Sequence, residues 1–134
     1  MSVFKLDSYY RKYESSIHFG STTIEFSKDS INLCDGFEWD DSDGDRYIEG
    51  DDLYIIPSTS FTTLLSLISD QYKEFTILSE FENAEIFYKT LNSETEKLIF
   101  LSILNYYKKD SCFYSLLSLI QNNNIPYEDK SWRY

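Results

Sequence analysis

One histidine, two cysteines, two prolines and four glycines are all that 134 residues offer of the types that serve most small-site chemistry and most tight turns. With His18 as the lone imidazole, any Ser–His or Cys–His pair has a single candidate base. His18 falls on the polar phase of an alternating stretch, where a surface histidine is the expected outcome. Cys34 and Cys112 stand far apart with no CxxC spacing. That fits neither a zinc site nor a disulfide-dense secreted scaffold, and two ordinary buried thiols are expected. The few glycines leave no phosphate-binding loop, dinucleotide fingerprint or nucleophile elbow. The chain is therefore read as not an enzyme, with no cofactor.

Cations are scarce as well. Twelve Lys and Arg face 23 Asp and Glu, a net charge of −11. Direct binding to nucleic acid or to an anionic membrane needs a basic footprint, which this balance excludes; it favours a basic protein partner instead. No apolar run approaches a membrane span, and the opening MSVFKLDSYYRKY lacks the apolar region of a signal peptide, so a cytoplasmic protein is expected.

What the chain does have is aromatic and apolar bulk. A hydrophobic share of 42% and an aromatic share of 18% exclude a disordered chain. The length suits one domain, 1–134, with a core of its own.

Negative charge is concentrated. The segment from Asp35 to Asp52 reads DGFEWDDSDGDRYIEGDD: nine carboxylates against Arg46, a net −8 of the chain's −11. Crowding of this kind costs stability through self-repulsion and is more asymmetry than solubility requires. Phe37, Trp39 and Tyr47 are interleaved with the acids, and such residues anchor interfaces. An EF-hand calcium loop fails in both registers. Gly44 as position six puts Trp39 at one and Gly50 at twelve; Gly50 as six puts Tyr47 at three and Ile56 at twelve. No metal site is expected, and Asp41, Asp43 and Asp45 are read as a solvated acidic turn.

Periodicity sketches the architecture. Val3, Leu6, Tyr10 and Tyr13 lie at three- and four-residue spacings, which predicts a short amphipathic helix over 2–14. Alternation at Ile17 and Phe19, at Thr22, Ile24 and Phe26, and at Ile31 and Leu33 predicts antiparallel strands. The acidic segment follows as a loop, and Leu53–Ile56, stopped by Pro57, returns to the sheet. Beyond Pro57 the pattern is helical: a helix from Ser60 with Phe61, Leu64, Leu65, Ile68 and Tyr72, and another from about Glu80. A capping box at Ser93 and Glu96 opens a helix that is apolar almost all round, including Leu101, and a last helix carries Phe113, Leu116, Leu117 and Ile120. The fold class expected is α+β. A small N-terminal antiparallel sheet (helix and sheet, 2–57) packs against a C-terminal set of three to four helices (58–124), with a polar tail at 125–134.

A small, acidic, Tyr/Phe-rich chain with a concentrated carboxylate patch and no reactive centre resembles the bacterial immunity proteins of contact-dependent growth inhibition systems. The resemblance implies binding and neutralisation of a cognate basic toxin, a nuclease domain. It would use Glu38, Trp39, Asp40, Asp41, Asp43, Asp45, Tyr47, Glu49, Asp51 and Asp52, carboxylates pairing with Lys and Arg and aromatics serving as anchors. The alternative is a nucleic-acid mimic of phage or plasmid origin that blocks a host nuclease or defence complex. A mimic spreads its acids widely, recruiting Glu80, Glu82, Glu85, Glu94 and Glu96.

Overall fold

A computed structural model describes residues 2–14, 16–41, 46–68, 75–110 and 113–134. Five antiparallel strands run in chain order across one sheet: β1 (Ser2–Lys12), β2 (Ser16–Phe26), β3 (Ser30–Asp41), β4 (Arg46–Pro57) and β5 (Glu128–Arg133). Among the described residues four helices stand between β4 and β5: α1 (Phe61–Ile68), α2 (Ala84–Thr90), α3 (Glu94–Asp110) and α4 (Phe113–Asn122). Single 3₁₀ turns occupy Ser58–Ser60 and Phe75–Glu80.

Three expectations are corrected. The helix expected over 2–14 is instead the edge strand β1, Ser2–Lys12. Phe4 and Leu6 point into the core, but the register with β2 shifts between Lys5 and Asp7. A bulge of this kind breaks the two-residue alternation and left the spacing looking helical. Nor does the chain divide into an N-terminal sheet and C-terminal helices: β5, drawn from the expected polar tail, pairs with β4 from Gly50↔Arg133 to Ile55↔Glu128. Every residue of β5 is exposed, so no hydrophobic alternation announced it. Finally, Asp35–Asp41 and Arg46–Asp52 are not loop; they are paired strand residues in the far half of the β3–β4 hairpin.

Local chemistry explains the joints. Between β2 and β3 the Ser27 N–H and hydroxyl both donate to the Ser30 carbonyl, at 2.9 and 3.1 Å. At α3 the Glu96 N–H donates to Ser93 Oγ at 3.1 Å while Ser93 Oγ lies 3.2 Å from Glu96 Oε1, which satisfies an orphan donor of the first turn. Helix α4 ends at Asn122; two residues on, Asn124 has a left-handed φ of 56°, and the Ile125 N–H bonds back to the Ile120 carbonyl. Asn tolerates that conformation and Ile125 tucks into the core, so the chain turns towards β5.

The core lies between one face of the sheet and the helices. Phe4, Ile24, Phe26, Ile31, Leu33 and Ile56 supply the sheet side. Helix α3 is buried along Ile99–Leu104 and at Tyr107, packed against α1, α4 and the 75–80 turn, which is why its sequence is apolar almost all round. Phe100 is its hub, with ring centroids 5.2 Å from Phe4, 4.9 Å from Phe87 and 6.2 Å from Phe26. Leu101 is fully buried, and Leu101→Ala is expected to cost about 2–5 kcal/mol, read from denaturant midpoints.

Two glycines allow close approach. A Cβ at Gly50 would fall 2.5 Å from the Trp132 carbonyl oxygen, a backbone atom, whereas one at Gly36 would meet only the Asp51 carboxylate, at 2.8 Å. Gly50→Ala therefore forces β5 away from β4 and is expected to destabilise by about 1–3 kcal/mol, the usual cost of overpacking. Gly36→Ala should cost less in the same denaturation series, because a side-chain tip can swing aside.

Candidate functional site

Burial on the helix-facing side of the sheet ends at one row. Thr22 and Asp35, directly opposite each other, are 7% and 8% exposed; Trp39 and Ile48, further along the same face, are 38% and 39% exposed. The helices thus cover the near half of the sheet, and in the far half Trp39, Ile48 and Phe19 are exposed while His18, Phe37, Glu38 and Glu49 are half-buried.

Strand alternation sorts the acidic segment onto the two sides of the sheet, because residues opposite each other in a ladder share a face. On the helix side, His18 lies opposite Trp39 and stacks on it at 4.9 Å with planes 17° apart. Tyr13 meets His18 edge-on at 5.1 Å, and Phe37 sits 5.3 Å from Trp39. The Arg133 guanidinium closes the row 4.9 Å above the Phe37 ring, with Nη1 donating to Asp52 Oδ1 at 3.1 Å. This is an aromatic strip ended by a caged cation.

The other side carries the charge. Glu38 lies opposite Glu49, Asp40 opposite Tyr47 and Gly36 opposite Asp51. Carboxylates directly opposite repel, and such pairs are destabilising in a sheet. Because Gly36 has no side chain, the surface dips there into a groove of about 470 Å³, bordered by Tyr10, Phe19, Glu38, Glu49, Asp51 and Tyr134. Tyr10 and Phe19 stack at 6.4 Å, and the Tyr134 hydroxyl donates to Asp51 Oδ2 at 2.8 Å. That bond is the first reason the Tyr134 phenol titrates above its ordinary value; the phenolate would lose it.

The ten residues singled out from the sequence are therefore not one pool. Glu38, Asp40, Glu49 and Asp51 share the open face; Trp39 and Asp52 occupy the helix side. Asp41 is the last residue of β3 and Tyr47 the second of β4, and Asp43 and Asp45 lie outside the described residues. Sequence reading missed His18, Tyr10, Phe19, Arg133 and Tyr134, which complete the two surfaces. The run Phe-Lys-Leu-Asp-Ser-Tyr-Tyr was the available signal, since aromatic residues favour strands. Among the described residues no cluster of His, Cys, Asp and Glu is placed to hold a metal ion, and no helix is long and apolar enough to cross a membrane.

Cys34 reports on the field. Its thiol is free, on the open face opposite Leu53, and its pKa is pushed up to about 11. Burial is the main cause, followed by the charges of Asp51, Asp35 and Asp52. Cys112, the other cysteine, lies outside the described residues. No protein-family model matches the chain, and no curated protein or solved structure matches it.

The thiol gives a pH prediction. The folded pKa is raised above the ordinary thiol value of 9.0, so the contribution to stability is whole below pH 9.0 and is lost as pH rises towards about 11. In a Cys112→Ser background, alkylation of Cys34 at pH 8 should be slow and should accelerate up to about pH 11. Asp51→Asn should shift that profile to lower pH; an unmoved profile would remove Asp51 from the field.

Proposed function

We propose that the chain is an immunity protein of the contact-dependent growth inhibition kind, which binds a cognate, basic nuclease toxin domain through the far half of the β3–β4 hairpin. The observation that carries this reading is the open face of that hairpin: Glu38, Asp40, Glu49 and Asp51 on one side of two paired strands, beside the aromatic groove walls Tyr10 and Phe19. Lys and Arg side chains of a partner relieve the repulsion between the opposed glutamates, and aromatic faces beside carboxylates suit guanidinium groups. Arg133, stacked on Phe37 and paired with Asp52, is an example of that chemistry within the chain itself. Association is steered by charge; retention depends on the desolvated anchors, Trp39 first among them. The protein acts without catalysis or cofactor, in the cytoplasm, and touches neither nucleic acid nor membrane directly.

The rival reading, a nucleic-acid mimic, needs a widely spread acidic field. Four of the five glutamates it would recruit are engaged locally. Glu80 pairs with Lys108, Glu85 with Lys89 at 3.8 Å and Glu94 with Lys97 at 3.8 Å, while Glu96 caps α3. These pairs support a field confined to the hairpin, which favours immunity.

The test is co-expression with a candidate basic nuclease toxin taken from the gene neighbouring this one. The wild-type chain is expected to restore growth, and Glu38→Lys with Glu49→Lys to slow association and flatten its salt dependence. Trp39→Ala should speed dissociation, a loss of ~2 kcal/mol or more for a central anchor. A toxin that kills equally with and without the wild-type chain would contradict the reading.

A further inference from the structure

The first strand of the sheet leaves a second surface unused. β1 is the outermost strand of the order β1-β2-β3-β4-β5, so among the described residues no strand pairs with its outer edge. Edge strands present unpaired N–H and C=O groups, and an extended peptide can complete them. Here the edge runs beside a cavity of about 450 Å³ between β1 and α2, lined by Val3, Phe4, Ile86 and Phe87 with Lys5 and Glu82 among the polar residues. Ile86 on α2 is 69% exposed, and Val3, which the register opposite Glu25 places on the open face of β1, is 51% exposed.

We propose that this edge and cavity form a docking site for an extended acidic segment of another protein, which adds to the sheet as a sixth strand. Two features define the occupant. Strand alternation sends every second side chain of an added strand towards the helix side, where Ile86 and Phe87 offer an apolar seat. The intervening side chains lie on the open face beside Lys5 and Lys12, which the register places there opposite Thr23 and Ile17. β1 carries Lys5, Arg11 and Lys12 against Asp7, a net +2 in a chain of −11. Acidic residues alternating with apolar ones match both rows. A second copy does not: sheet-to-sheet pairing about a two-fold axis would bring Lys5 and Lys12 of both copies onto one face. Lys5 borders both this cavity and the groove of the acidic hairpin, so the two surfaces adjoin at β1, but the proposal does not depend on the immunity reading.

The experiment uses two fluorescein-labelled synthetic heptapeptides, Glu-Val-Glu-Val-Glu-Val-Glu and its Lys-for-Glu counterpart, titrated with the full chain by anisotropy. The Glu peptide is expected to saturate, to weaken with added salt, and to lose at least tenfold in affinity against Ile86→Asp, a surface change on α2. The Lys peptide should retain its affinity for Ile86→Asp, because any binding it shows belongs to the acidic hairpin. Absence of saturable binding by the Glu peptide overturns the proposal, as does equal binding to wild type and Ile86→Asp. So does sedimentation showing a dimer that Ile86→Asp dissolves, since a second copy would then be the occupant.

Discussion

Strands that outrun their helices are the constraint from which the rest of the molecule follows. Strands β1 to β4 are 11 or 12 residues long, about 36–40 Å at the usual rise per residue, whereas α3, the longest helix, has 17 residues and spans about 25 Å. The core can therefore be complete at the row of Thr22 and Asp35 while the sheet continues past it. Backbone pairing between β2, β3 and β4 holds the overhang together, so side chains there need not contribute to a hydrophobic core. That freedom lets carboxylates crowd one face and aromatics the other.

The overhang is braced at its β5 side. Gly50 admits the Trp132 backbone, Arg133 bridges Phe37 and Asp52, and the Tyr134 N–H donates to the Glu49 carbonyl at 2.8 Å. Each contact is exposed and individually weak, but together they fix strand β4 from outside as β3 fixes it from within. The same neighbourhood of acids raises the Tyr54 phenol, where burial is the main cause and Asp52 the next, and raises the Cys34 thiol. One field is felt by groups on both faces of the sheet.

Much of the helical half was legible. The capping box before Glu94, the all-round apolar α3 and the alternation of β2 and β3 each rest on short-range patterns with one physical meaning. β1 was misread because its bulge shifts the phase of Phe4 and Leu6 against Ser8 and Tyr10. β5 was invisible because a strand exposed on both faces has no reason to alternate. The acidic segment misled for a third reason. Charge density suggested a loop, while the ladder partners that make it a strand, Phe19 for Glu38 and Glu38 for Glu49, are fixed by long-range register. Composition marked the right segment without revealing that it has two sides.

The most direct measurement is carboxyl footprinting by carbodiimide labelling and mass spectrometry of the chain alone and with the proposed toxin partner added. The account predicts that Glu38, Asp40, Glu49 and Asp51 lose labelling in the complex while Glu85, Glu94 and Glu128 keep theirs. Protection confined to the helical glutamates, with the hairpin labelled as in the free chain, would contradict it.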